Sequence, residues 1–311
     1  MYEKFFNLKE KPFNLTPDPK YLYLGENHRE ALAHLVYGVR ERKGFMVMTG
    51  EVGTGKTTLL HALLRHLGDD TRTVFIFNPI LDVKDFFKFV LIDLEIQIKD
   101  QTKGDYLLEI YQFLIESYRK KGNVVLIIDE AHNLNPFIME EIRLLSNFET
   151  ATDKLIQIIL VGQPELNAVL NLPKCRPLKQ RISLWFFINP LNQKETGEYI
   201  GSRLYRAGMG NSCFTEKAVD EIFRYSRGIP RVINILCDNS LTTGYATDKK
   251  RIDENIVKEA IGDLEACERQ STESKELPAQ KNMAEASNPQ KKPKNPGLAG
   301  SKLTWKFPNE I

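Results

Sequence analysis

Between residues 44 and 162 the chain alternates two kinds of hydrophobic spacing. Four short runs, 44–49, 73–78, 124–129 and 155–162, are almost continuously apolar, the pattern of strands buried on both faces of a parallel sheet. The segments between them, 57–67, 83–98, 106–120 and 136–148, carry apolar residues three and four apart, the spacing of one helix face, and supply crossover helices. This alternation predicts a doubly wound α/β fold. From Gln193 onward strand-like runs cease. Helical stretches at about 193–207, 215–226, 231–246 and 253–266 then follow one another across Gly- or Asp-containing breaks, predicting a small helical domain. After Arg269 the apolar residues lose any period among Lys, Pro, Ser, Asn, Gln and Ala, which predicts a disordered polar tail.

Composition adds exclusions. Of 311 residues, 42% are apolar and 27% charged, values of an ordinary globular protein rather than a collagenous or wholly disordered one. The net charge of +2 argues neither for nucleic acid nor for a membrane surface, because binding depends on clustering. Residues 268–311 hold eight basic and five acidic side chains, so the tail is itself basic and the remainder close to neutral. The four cysteines form no C-x-x-C pair and no cluster with histidine, which points to a reducing compartment. No apolar run approaches the ~18 residues of a membrane span, and the opening MYEKFFNLKEKPF lacks a leader pattern. The expected location is cytoplasmic.

The chemistry concentrates in a few short stretches. Gly50-Glu51-Val52-Gly53-Thr54-Gly55-Lys56-Thr57, followed by Thr58, is a complete phosphate-binding loop between a strand and a helix. Its glycines let successive N–H groups converge on a phosphate at a helix N-terminus. Lys56 adds charge toward the β- and γ-phosphates, and the Thr57 hydroxyl is a ligand for Mg²⁺. A second strand ends in Asp129-Glu130. Asp129 is expected to hold the Mg²⁺ shell and Glu130 to polarise the attacking water as general base. The run 155–162 leads into Gln163, an amide at a strand's carboxyl end, where open α/β sheets bind ligands. Arg176 and Arg181 precede an apolar run at 185–188, and Arg231 sits in the first turn of a helix opened by Gly228-Ile229-Pro230. A cation there opposes the helix dipole, which a nearby anion would explain.

This order of motifs resembles an AAA+ ATPase. Phe13-Asn14-Leu15-Thr16-Pro17-Asp18-Pro19, His28-Arg29-Glu30-Ala31-Leu32, Asp129-Glu130-Ala131-His132, Gly162-Gln163-Pro164-Glu165-Leu166 and Gln180-Arg181-Ile182 are similar to the general secretion pathway A (ExeA-like) family over roughly residues 1–265. The resemblance implies an AAA+ type doubly wound parallel sheet with a C-terminal helical lid. In it Gln163 would be sensor 1, Arg181 the arginine finger of a neighbouring subunit, Arg231 sensor 2, and the segment before Gly50 part of the adenine pocket. Cys175 and Pro177 depart from the pattern around Arg176, which leaves that arginine without an inherited role. The implied organisation is 1–43 framing the nucleotide site, 44–190 the ATPase base, 191–267 the lid and 268–311 the tail. The expected ligands are ATP and Mg²⁺, and the expected assembly is a homo-oligomer with sites at subunit interfaces. Secretion-type members continue into a membrane span and a periplasmic region, whereas this chain runs into a polar tail. The expectation is therefore a cytosolic ATPase serving a secretion, pilus or exopolysaccharide system through a membrane partner. The alternative is an ATP-dependent DNA-binding ATPase of the MuB/TniB type, with Arg40-Glu41-Arg42-Lys43, Arg119-Lys120-Lys121 and Lys249-Lys250-Arg251 as its contacts.

Overall fold

The computed structural model describes residues 1–16, 18–77, 79–97 and 102–273. Five strands, β1 (Phe45–Gly50), β2 (Thr71–Ile76), β3 (Asn123–Ile128), β4 (Gln157–Gly162) and β5 (Ile182–Ile188), form one sheet in the order β2-β3-β4-β1-β5. All neighbours are parallel. Every residue of β1, β3 and β4 is buried, because successive side chains point to opposite faces and both faces are covered. In β3, Val124, Leu126 and Ile128 enter one core and Val125 and Ile127 the other. Each such side chain contributes ~1.5–3 kcal/mol relative to exposure.

The first core is closed by α4 (Val83–Asp93), α5 (Lys103–Arg119) and α6 (Pro136–Leu145), the second by α2 (Glu26–Arg40) and α3 (Lys56–His66). Local signals set the helix starts. A reciprocal Thr102–Asp105 capping box opens α5, and the Asn135 side chain accepts from two N–H groups at the start of α6. The elements α7 (Glu165–Leu170) and α8 (Arg176–Lys179) lead from β4 to β5. The hydrophobic pattern had singled out neither α2 nor the full extent of β5. In β5 half-buried and exposed residues alternate, with Trp185 and Phe187 on the open face. It is an edge strand, so it shows the period of two instead of a continuous run. Helix α2 shields its other face, His34 lying 4.8 Å from Phe186 ring to ring.

Helices α9 (Gln193–Arg206), α10 (Glu216–Ser226), α11 (Pro230–Ala246) and α12 (Glu254–Glu273) follow. Helix α12 runs past residue 268, where the composition change had put the start of the tail, and residues 274–311 lie outside the described ones. The N-terminal segment belongs to this helical layer: Tyr2 of the short α1 (Tyr2–Phe5), Phe6, Leu8, Phe13 and Tyr21 are buried in one core with Ile200, Leu204, Ile233 and Leu236. The chain passes from helical layer to sheet near Gly25 and back after Ile188. The two crossings are tied together, since Asn27 donates to the Phe187 carbonyl (3.3 Å) and accepts from the Asn189 N–H (2.9 Å). Beside them Glu195 accepts from the Glu26 N–H at 2.8 Å. Residues Met1–Leu264 form one compact unit. No helix among the described residues is long and apolar enough to cross a membrane.

Candidate functional site

Three strands deliver polar groups to one edge of the sheet, because parallel strands end together where their crossover helices begin. The loop 50–57 leaves β1 and enters α3, and Gly53 and Gly55 take left-handed φ values of 80° and 94°. The first is required twice over, since a Cβ on Gly53 would lie 2.7 Å from the Arg231 Cβ. The Lys56 ammonium is buried and donates to the Gly50 and Glu51 carbonyls at 2.8 and 3.0 Å. Burial lowers its pKa, while the carboxylates of Glu130, Asp129 and Glu51 work the other way. Thr57 donates its hydroxyl to Asp129 Oδ2 at 2.9 Å. Asp129 is buried at the end of β3, and burial raises its pKa against the pull of the Glu130 N–H and Thr57 hydrogen bonds.

Glu130 follows in the left-handed region, φ 52°, turning its carboxylate toward the end of β4. Gln163 Nε2 donates to Glu130 Oε2 at 3.4 Å. The Gln163 N–H donates to His132 Nδ1 at 3.3 Å, so the histidine proton sits on Nε2, 3.5 Å from the same carboxylate oxygen.

Lys56, Thr57, Glu130, Gln163 and Arg231 share one cavity of about 280 Å³ with Val52–Thr58 of the loop. Arg231 is the second residue of α11, and its N–H donates to the Gly53 carbonyl at 3.3 Å, which brings the helical layer onto the phosphate loop. The rest of the lining is Asn14, Leu15 and Tyr21 to Leu24 of the N-terminal segment and Tyr199, Arg203 and Asn234 of α9 and α11. Gly50, Glu51 and Asp129 are not in the lining; Asp129 lies beneath Thr57. Arg181 does not line the cavity of its own chain. Its Nη1 donates to the Arg143 carbonyl (2.9 Å) and to Ser146 Oγ (2.8 Å) at the end of α6. Arg176 is exposed at the start of α8.

Sequence reasoning assigned no role to His28, which is buried under the loop with Nε2 2.8 Å from the Thr54 carbonyl. Nor did it single out Tyr199, Arg203 or Asn234, whose spacing in the chain marks nothing but helix faces. His28 was legible only as part of a motif that resembles a family.

Residues 39–170 match the AAA domain family. General secretion pathway protein A of Aeromonas hydrophila is 41% identical over 254 residues, 81% of this chain. The matched residues are an AAA domain. The chain as a whole is similar to secretion pathway protein A, of whose length the alignment covers 46%, so it spans about half of that relative. Among solved structures, Drosophila ORC bound to DNA is similar at a TM-score of 0.64 and 16% identity, over 85% of this chain and 66% of that one. Cdc6p from Pyrobaculum aerophilum is similar at 0.59 and 20% identity, over 78% and 67%. At these identities the likeness concerns the fold, an AAA+ P-loop architecture.

Proposed function

We propose that this protein binds ATP with Mg²⁺ and hydrolyses it to ADP and phosphate at a subunit interface, and that the cycle drives or regulates an envelope or secretion assembly. The observation that carries the reading is the Thr57–Asp129 pair, 2.9 Å apart beside a buried Lys56. An all-oxygen pair of this kind, with Thr57 at the cavity wall, fits a small hard cation that keeps several waters. Bound there, Mg²⁺ would neutralise charge between the β- and γ-phosphates. The N–H groups of residues 53–58 and Lys56 hold the phosphates, and Arg231 closes on them from α11. Glu130 accepts a proton from the attacking water, and Gln163, now donating to Glu130, is within reach of that water. Arg181 does not line its own cavity, and we assign it to the site of a neighbouring copy. The expected division is a base at 44–190 that holds the phosphates, a lid at 191–267 that follows nucleotide state, and an N-terminal segment, 1–43, that frames the nucleotide site.

Relationship to secretion pathway protein A supports a cytoplasmic ATPase that works through a membrane partner. The test is phosphate release by the purified chain with Mg-ATP, with EDTA, and in mixtures with Arg181→Ala. Turnover that needs Mg²⁺ and falls more steeply than the mutant fraction is expected. Magnesium-independent turnover, or a linear fall, overturns the metal assignment or the trans assignment respectively.

A further inference from the structure

The end of the cavity away from the phosphate loop contains a buried chain of polar groups that the hydrolysis chemistry does not use. Arg203 on α9 is 5% exposed and has no carboxylate partner among the described residues. Its guanidinium lies 4.9 Å from the Tyr21 ring centre and 5.5 Å from that of Tyr199. It donates to the Asn14 carbonyl at 3.4 Å and, through Nη1, to the Tyr199 hydroxyl at 2.6 Å. The Tyr199 hydroxyl is 2.8 Å from Asn234 Oδ1.

Donor counting fixes the direction of this chain. A guanidinium has five N–H groups and accepts nothing, so the tyrosine oxygen must be the acceptor in the first bond. The single Tyr199 proton is then free to point only onward, to the Asn234 oxygen. An amide whose oxygen is held in this way cannot flip, and its NH₂ group is presented on the other side. That Nδ2 takes no partner from the described residues, and Asn234 lines the cavity. A donor with a set direction at the wall of a cavity is a recognition element, because a ligand atom there either accepts from it or leaves it unpaired.

The ligand chemistry follows from position. Arg231 and Asn234 stand three residues apart on α11, hence on one face and about 4.5 Å apart along the axis. With the first beside the phosphate loop, the second faces what lies beyond the phosphates, where the wall is Leu15, Leu22 and Leu24 with Tyr21 and Tyr23. A flat heteroaromatic group fits such a wall. We infer that Asn234 donates its amide N–H to a ring nitrogen of the purine base, and that Arg203 and Tyr199 act as positioning residues that hold the amide in that orientation. This rests on the nucleotide reading above and adds to it a residue that contacts the base.

The test is calorimetric titration of the full chain with Mg-ATP, its 1-deaza, 3-deaza and 7-deaza analogues, 2′-deoxy-ATP and tripolyphosphate. Wild type is expected to bind one deaza analogue about tenfold more weakly than ATP, the loss of one hydrogen bond, and the other analogues within about twofold. Asn234→Ala should bind ATP about tenfold more weakly and no longer distinguish that analogue. Asn234→Asp keeps the acceptor for Tyr199 while replacing the donor, which guards against a variant that simply unfolds; it should bind ATP more weakly than Asn234→Ala. Tyr199→Phe leaves Asn234 in place but free to turn, and should lose the same discrimination, an effect that a purely structural tyrosine would not produce. Tripolyphosphate should bind all four proteins alike. The assignment is overturned if Asn234→Ala separates the analogues as wild type does, or if only 2′-deoxy-ATP loses affinity, which would place the donor on the ribose. Wild type that binds tripolyphosphate but no base-dependent ligand sinks this assignment alone, and wild type that binds neither sinks the nucleotide reading with it.

Discussion

The two walls of the cavity are made in opposite ways. The sheet wall gathers its chemistry from contiguous stretches, eight residues of loop and two carboxylates at a strand end, and much of it is backbone. The helical wall draws residues from positions 14 to 234, and its Arg203–Tyr199–Asn234 chain is held side chain to side chain rather than by a loop. A contiguous motif brings its own geometry wherever a strand–turn–helix forms, whereas a dispersed wall exists only when the helical layer has packed. Damage to the first should therefore remove chemistry at constant fold, and damage to the second should remove selectivity or the fold itself.

Glu130→Gln offers the largest effect and tests the first half of that contrast. The amide cannot take the water's proton, so steady-state turnover should fall by about 10²–10⁴-fold while calorimetric ATP affinity stays near wild type; parallel loss of affinity would break the separation. Lys56→Ala removes a buried charge from the phosphate site, and nucleotide affinity should drop by about 100-fold with an unchanged denaturation midpoint. Gly228→Ala tests the other wall. Gly228 has φ 75°, and a Cβ there would lie 1.8 Å from the Leu191 carbonyl oxygen, so the junction of α9 and α11 must move. A stability loss of about 2 kcal/mol or more is expected in urea unfolding, together with weaker ATP binding.

His28 spans both walls and gives the smallest effect. Burial lowers its pKa, so it is neutral when folded and its Nε2–H donates to the loop. The unfolded chain takes up this proton first, so the contribution to stability is complete above the unfolded value of about 6.5 and is lost as pH falls from there through the folded value. His28→Gln keeps a donor but does not titrate. The difference between its urea midpoints at pH 7.5 and pH 5.5 should be smaller than that of wild type; equal differences would remove His28 from the account.

The same contrast explains what could be read from the chain before its fold was known. Strands β1, β3 and β4 were legible because burial on both faces leaves an uninterrupted apolar run, as in Val124–Ile128. Edge strand β5 was only half legible, since Trp185 and Phe187 face outward. Gly50 to Thr57 carry their geometry in their order, so their gathering with Glu130 and Gln163 followed from strand ends alone. By contrast, the His28–Thr54 contact joins residues 26 apart, and Tyr199–Asn234 joins residues 35 apart. Nothing local distinguishes Tyr199 from any other aromatic on an apolar helix face, and its role emerges only when Arg203 has used its acceptor. The N-terminal segment was read as a frame for the nucleotide site. That Tyr2, Phe6 and Phe13 are buried with α9 to α11 is a matter of long-range burial that no spacing encodes.

The paired crossings at Asn27 and Asn189 have a kinematic consequence. Two covalent strands that leave one body for another at nearly the same point, and are stitched to each other there, remove most of the independent ways in which the bodies could be displaced. The lid movement proposed above would then be close to a single angular coordinate. A dye on Lys4, which precedes the sheet by some forty residues in the chain, would therefore travel with α11 and not with β1. Its distance to a second dye on α5 would read that one angle directly, nucleotide by nucleotide.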